Sequence, residues 1–366
     1  MNHNHRPSAA SRIVQGIAGI ALTAAIVYGA RLQQQMRVLQ ASLRRPRLFE
    51  DDFHSQRLGR YYYSFFPSYM QPETHPPQVD EDGIPVNDYT RKLLIRGVTG
   101  RTYSPLTVSH WALGAYDDWL CTGERKHHEL FLRRADWLVE NQVRKDGAGW
   151  WYYGVPWGMP YNVKPPWASA MAQGFALSAL MRAYQQTSRV AYRQAAQYAL
   201  KSFDVSVDEG GITSRDELGN VFYEEVPSQP PHHILNGHVF ALFGLHDYHR
   251  STGDSHASEL FEMGVAAVRN RLPDYDVGFW SKYSLNPSPG WRSHWNIAAP
   301  IYQQVHVDLL RFLRVITGDQ VFDRWAARWE AQQRTAAGRL LEIVFIVFKD
   351  GVLVSKWLKS LRGHRR

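Results

Sequence analysis

Cys121-Thr122-Gly123-Glu124, Thr187-Ser188-Arg189, Thr252-Gly253-Asp254 and Thr317-Gly318-Asp319 are four occurrences of one turn. Their threonines stand 65 residues apart each time (187−122, 252−187, 317−252), the period of a structural repeat. Glycine suits the residue that follows a helix because it has no Cβ to clash at positive φ; the second copy keeps the place with Ser188 instead. Apolar-periodic segments precede the turn, as in Met171 to Tyr184 and His238 to Tyr248, and follow it, as in Phe131 to Asn141 and Leu260 to Leu272. Each beat is therefore a helix–turn–helix hairpin. A hairpin cannot bury its apolar face alone, so the repeat predicts a mainly α fold in which hairpins stack into a solenoid or an α/α toroid, an incomplete barrel, over 106–335. Function is expected in the long connections between hairpins.

The net charge of +8 argues for a polyanionic ligand without choosing among acidic polysaccharide, nucleic acid and anionic membrane. Much of the excess lies in the tails, at Arg31, Arg37, Arg44, Arg45 and Arg47 and at Lys356, Lys359, Arg362, Arg365 and Arg366. No aromatic-glycine RNA-binding signature and no paired Cys/His spacing occurs, so neither a nucleic-acid partner nor a metal is expected. The single cysteine, Cys121, excludes an internal disulfide and reads as a small buried residue. The 13 Trp and 19 Tyr exceed what a helical core requires and suit surfaces on which sugar rings stack, although any one aromatic is more often packing.

The tail 1–46 contains Ile13 to Ala30, an uncharged stretch between Arg12 and Arg31 that reads as a single-pass transmembrane signal anchor, with a cleaved signal peptide and a surface helix as alternatives. The arginines that follow it favour a cytoplasmic body by the positive-inside rule. Residues 47–105 carry Tyr61-Tyr62-Tyr63, scattered prolines and an Asp82-Gly83 turn without helical period, the marks of a small β-rich or irregular cap. In the tail 336–366, apolar Leu340 to Phe348 precedes basic Lys356 to Arg362, a membrane-surface helix or a docked end.

Polar and aromatic residues gather in the hairpin connections. They read Pro166-Trp167-Ala168-Ser169-Ala170-Met171-Ala172-Gln173-Gly174; Tyr223-Glu224-Glu225-Val226-Pro227 with Leu235-Asn236-Gly237; Tyr275-Asp276 to Trp280 and Tyr283; and Tyr302 with His306 one helical turn later. The order and spacing of these strings resemble the C-terminal domain of D-glucuronyl C5-epimerase, from roughly Val108 to Trp329.

The resemblance implies an α/α-toroid domain that converts D-glucuronate to L-iduronate in a heparosan-like polysaccharide without a metal or redox cofactor. It implies Glu225 as the base that takes the C5 proton, Tyr283 and Tyr302 as the acids that return one to the opposite face, and His306 as the residue that orients Tyr302. Asn236 would hold sugar hydroxyls, Trp167 or Trp280 would stack on a ring, and Gln173 belongs to the substrate-binding string. The chemistry agrees: the C5 hydrogen is acidic only because it lies α to a carboxylate, so a base, an opposed acid and a neutralising cation are all required. Two positions depart from the family pattern. Val226 replaces a tyrosine directly after the glutamate, and Asn286 replaces an arginine, which leaves Arg292 or Lys164 to meet the substrate carboxylate.

Partners expected are an acidic polysaccharide, the membrane and a second copy of the chain in a homodimer. The resemblance favours the periplasmic, extracellular or lumenal side over the cytoplasmic one. Alternatives are a uronate polysaccharide lyase using the same carbanion, an inverting glycoside hydrolase for which Glu224, Glu225 and Asp276 are the loop carboxylates available, and a non-catalytic glycan-binding or assembly protein.

Overall fold

The computed structural model describes residues 52–63, 78–88, 100–158, 160–285, 296–335 and 338. The expected anchor at 13–30 and, apart from Gly338, the expected tail at 336–366 lie outside them; among the described residues no helix is long and apolar enough to cross a membrane. Among the described residues eight α-helices pair into hairpins: α1 (Pro105–Thr122) with α2 (Arg125–Glu140), α3 (Ala170–Thr187) with α4 (Val190–Leu200), α5 (Leu235–Thr252) with α6 (Ser255–Arg271), and α7 (Pro300–Thr317) with α8 (Gln320–Arg334).

The repeated threonine has the same job four times. Its hydroxyl donates to the carbonyl four residues back (2.8, 2.7, 2.7 and 2.7 Å) and accepts the amide two residues ahead (3.2, 3.3, 3.2 and 3.2 Å), so one side chain closes the first helix and aims the second. Between these bonds the chain turns through the left-handed region, at Gly123, Gly253 and Gly318 with φ of 70°, 75° and 74°, and at Ser188 with φ of 58°.

Helices α1, α3, α5 and α7 form an inner row, α1 on α3, α3 on α5 and α5 on α7, and each hairpin partner packs outside its own helix. Sequence chemistry decides which is which. Helix α3 is buried at every residue from Ala170 to Ala183, whereas α2 buries only Phe131, Arg134, Ala135 and Leu138. The inner pair α3 and α5 crosses on glycine: a Cβ on Gly244 would stand 2.3 Å from the Gly174 carbonyl oxygen, and one on Gly174 would stand 2.7 Å from Ala241 Cα. No extensive contact joins α1 to α7 among the described residues.

Residues Pro46–Gly338 form one compact unit, and the segment 52–63 is built into its core. Tyr61, Tyr62 and Tyr63 are fully buried. An ion cluster fixes them at the C-terminal ends of the inner helices. Asp247 on α5 accepts from Arg182 Nη1 (2.6 Å), Arg250 Nε (3.0 Å), Ser178 Oγ (2.7 Å) and Tyr62 Oη (2.8 Å), while Arg182 Nε and Arg250 Nη1 reach the carbonyls of Gly59 and Asp52. At the N-terminal end of α1, β1 (Val86–Asp88) and β2 (Arg101–Tyr103) pair antiparallel with Asn87 opposite Thr102. Cys121 is exposed rather than buried, because it falls in the last turn of α1 where the helix leaves the core.

Candidate functional site

The opposite ends of the inner helices, their N-termini, are joined by two-stranded antiparallel sheets in the hairpin connections. The pair β3 (Val143–Lys145) and β4 (Ala148–Trp150) is followed by β5 (Tyr152–Tyr153) with β6 (Trp167–Ala168), and then by β7 (Thr213–Arg215) with β8 (Val221–Tyr223). Strand β8 runs into Glu224, whose amide donates to Ile212 O (2.7 Å) and whose carbonyl accepts the first amide of α3, that of Ala170 (2.9 Å). His238 on α5 adds a brace, accepting the Tyr223 amide on Nδ1 (2.9 Å) and donating from Nε2 to Gly264 O (3.0 Å).

The two glutamates after β8 point into different surroundings. Glu224 is fully buried and its carboxylate is consumed by Ser214 Oγ (2.6 Å), His233 Nδ1 (2.8 Å) and the His233 amide (3.1 Å). Burial pushes its pKa up, but the His233 bonds and charge and the Ser214 bond outweigh it and hold the carboxyl below its ordinary value. Glu225 faces the other way, against the first turn of α5. Asn236 Nδ2 donates to its Oε2 at 3.3 Å, and the missing Cβ of Gly237 makes the room it occupies. Helix α5 has no side-chain N-cap. Burial pushes Glu225 up to about 7, against the Asn236 bond and with help from the charge on Glu224.

Tyr283 and Tyr302 stand beside Glu225. Their rings meet edge to face at 4.9 Å, and Leu235 at the start of α5 donates its amide to the Tyr283 carbonyl (3.2 Å). Burial and then the charge of Glu225 raise both phenols, Tyr302 to about 12, so both are neutral O–H groups at any working pH. The structure thus brings together Glu225, Asn236, Tyr283 and Tyr302. Tyr161, in the loop before β6, joins them: with Tyr283 it packs against the buried cluster of Tyr153, Trp167, Ala172, Val226 and Ile234, and after burial the charges of Glu225 and Tyr302 are what raise its pKa most. It sits in a loop with no helical phase to single it out, and only the general density of aromatics pointed there.

Other expected residues fall elsewhere. Trp280 is fully buried and donates its indole N–H to Ala298 O (2.8 Å), so it has no free face for a sugar ring. Gln173 is also fully buried, with its amide spent on the Trp151 amide (3.2 Å), Gly149 O (2.8 Å) and Ser202 Oγ (2.8 Å). Its work is to tie β4 to α3. His306 does not meet Tyr302; Nδ1 lies 2.9 Å from Ser281 Oγ, and burial lowers its pKa to about 3, which keeps it neutral. Trp167 is buried with its face on Tyr153 (4.1 Å, 7°), forming the floor of the cluster. Lys164 is exposed, and Arg292 and Asn286 lie outside the described residues.

Of the carboxylates available for a hydrolytic pair, Glu224 is sequestered and Asp276 is held by Arg328 (2.7 Å) and Gln332 (2.8 Å) on the outer helix α8. Among the described residues there is no group of three or more His, Cys, Asp or Glu suited to a metal ion.

Residues 145–331, half of the chain, match the family described as D-glucuronyl C5-epimerase C-terminus. The D-glucuronyl C5-epimerase of Caenorhabditis elegans is 33% identical over 225 residues, 56% of this chain and 35% of that protein. An uncharacterised protein of Methanocaldococcus jannaschii is 29% identical over 219 residues, 56% of this chain and 68% of its own length. The chain thus spans about a third of the first of these relatives and two thirds of the second. Among solved structures, an unsaturated glucuronyl hydrolase from Bacillus sp. GL1 superposes with a TM-score of 0.41 at 18% identity, covering 63% of this chain and 62% of that one. A cellobiose 2-epimerase from Spirochaeta thermophila superposes at 0.37 and 17%, covering 55% and 50%.

Proposed function

The chain belongs to the D-glucuronyl C5-epimerase C-terminal family, and from that membership and the Glu225 cluster we propose that it inverts C5 of uronate residues in an acidic polysaccharide of the heparosan type. The observation that carries this reading is a carboxyl poised at about 7 beside neutral phenols. A base of that strength is partly ionised at neutral pH and still binds a proton well, the compromise general-base catalysis requires. Glu225 breaks the C5–H bond and keeps the proton, the electron pair delocalises onto the carboxylate, and Tyr302 or Tyr283 supplies the proton that forms the new C5–H bond on the opposite face. Asn236 holds Glu225 with Nδ2, and its buried Oδ1, without a hydrogen-bond partner among the described residues, is the acceptor for a sugar hydroxyl. Trp167 supports the floor, and Arg292 is proposed from sequence as the cation. A membrane anchor at 13–30, a body on the periplasmic, extracellular or lumenal side and a homodimer complete the proposal.

The test is incubation with heparosan-type polymers in D₂O. Deuterium at C5 with iduronate formed supports the epimerase. Deuterium loss into an unsaturated, ultraviolet-absorbing product makes the protein a lyase, and no exchange on any uronate polymer refutes carbanion chemistry at this site.

A further inference from the structure

The cluster around Glu225 contains a third phenol with no task assigned above. Tyr161 comes from the connection between the first two hairpins, in a loop pinned by reciprocal bonds between Trp157 and Val163 (2.9 Å each way) with its own amide turned back to Gly158 O (3.1 Å). Its ring lies against His232 at 4.7 Å, and His232 is itself fixed by Ser228 (2.6 Å). With Tyr283 it packs against the buried cluster of Tyr153, Trp167, Ala172, Val226 and Ile234, which holds the residue after Glu225 and the residue before α5, and the charge of Glu225 acts on its phenol. The Tyr161 hydroxyl makes no hydrogen bond to the described residues, although its ring is held by His232 and the buried cluster.

The chemistry names a use for that hydroxyl. The carboxylate of a uronate is bonded directly to C5, so a group that serves the carboxylate has to stand next to the group that takes the C5 proton. As the proton leaves, negative charge moves onto the carboxylate oxygens, and a donor aimed there stabilises the transition state more than the ground state. Among the described residues no lysine or arginine acts on Glu225, Tyr161, Tyr283 or Tyr302; the charged neighbours that perturb them are one another and Glu224. We propose that Tyr161 is the hydrogen-bond donor to the substrate carboxylate, a catalytic residue that holds the charge of the enediolate formed at C5. This assignment rests on the uronate reading of the site and deepens it. Neutrality of the phenol agrees with it, since a donor to an anion beside another anion has to keep its proton.

The experiment compares the full chain with Tyr161→Phe, which keeps the ring and its contacts and removes only the hydroxyl. Binding is measured by calorimetry to a heparosan oligosaccharide and to the same oligosaccharide with its carboxyl groups reduced to hydroxymethyl. Expected are a loss of affinity of about tenfold for the uronate form with the reduced form unaffected, and a fall in C5 exchange on the order of 10²-fold. Equal binding of both forms by wild type and variant, or equal losses for both forms, overturns the assignment. A wild type that prefers the uronate form, loses that preference in Tyr161→Phe and exchanges no C5 hydrogen upholds the carboxylate contact while the epimerase reading fails.

Discussion

Gly237→Ala tests the placement of the base without touching it. A Cβ at position 237 would stand 2.4 Å from Glu225 Cβ, 2.5 Å from Oε2 and 2.9 Å from Cγ. Ordinary contact begins near 3.4 Å, so relief needs a displacement of about 1 Å, and because the nearest atom is Cβ, no rotation of the Glu225 side chain provides it. The backbone at 224–226 has to move. A base misplaced by about 1 Å loses rate on the order of 10²-fold. Stability changes little by comparison: overpacking costs about 1–3 kcal/mol, and replacing glycine inside a helix returns up to about 1 kcal/mol. The assay is C5 deuterium incorporation alongside thermal melting, with Gly244→Ala as the control. There the added methyl meets the Gly174 backbone at the α3–α5 crossing, well along α5 from Glu225, so it lowers the melting temperature without a specific loss of rate per folded molecule. Wild-type exchange in Gly237→Ala would refute the placement of Glu225 as the base.

Glu225→Gln abolishes C5 exchange and stabilises the fold at high pH. The folded protein raises this carboxyl from 4.5 to about 7, so its contribution to stability is full below 4.5 and lost as pH rises through 7; the variant's advantage in melting temperature is greatest near pH 8 and closes toward pH 4. In the wild type, kcat/KM rises with pH through an acid limb near 7, as the base loses its proton, and a flat profile from 5 to 8 would remove Glu225 from the role. Asp247→Asn leaves Arg182 and Arg250 buried without their counter-charge and costs about 3–5 kcal/mol in denaturant titrations. Asp247 is depressed below its ordinary value by the two arginines in spite of burial, so its stabilisation is present above the ordinary carboxylate range and the gap between wild type and variant narrows as pH falls. Ser188→Gly relieves a left-handed φ of 58° and stabilises by about 0.5–1 kcal/mol, the steric cost less the greater unfolded entropy of glycine, read as a higher melting temperature.

The hairpins were legible because their signal is local and repeated: a threonine that closes one helix and starts the next has to recur wherever the geometry recurs. Glu225, Tyr283 and Tyr302, the residues proposed for the chemistry, were singled out by order and spacing shared with the family, and they stand together in the structure. Trp280, Gln173 and His306 misled for a common reason. They lie in the same strings as the site residues, but the strings alternate between facing the site and bracing it, and the bracing side chains are equally polar. Gln173 and Gln303 show this well: both take a loop amide on the side-chain oxygen, of Trp151 and of Ser281, and so fasten connections to helices α3 and α7. The Tyr-rich segment has the composition of a cap laid on the helices, yet it is built into the core. Its burial follows from long-range partners, Asp247, Arg182 and Arg250, that no local pattern reveals.

The pair Glu224-Glu225 shows why the base sits where it does. Neighbours at the end of a strand face opposite sides, so a single backbone position, fixed by Ile212 and Ala170, commits one glutamate to the interior and the other to the mouth of α5. The interior one is anchored by three hydrogen bonds and stays ionised, and its fixed charge lies close enough to raise the proton affinity of the other. Burial therefore does most to raise Glu225, and the neighbour that shares its backbone position adds to it. Glu224→Gln would separate them: if the backbone holds, the acid limb of the rate profile moves to lower pH while Glu225 stays in place. Ser214→Ala, which removes one of the three bonds and leaves the carboxylate, moves that limb far less. A profile unmoved in a well-folded Glu224→Gln protein would leave burial alone as the cause of the raised pKa.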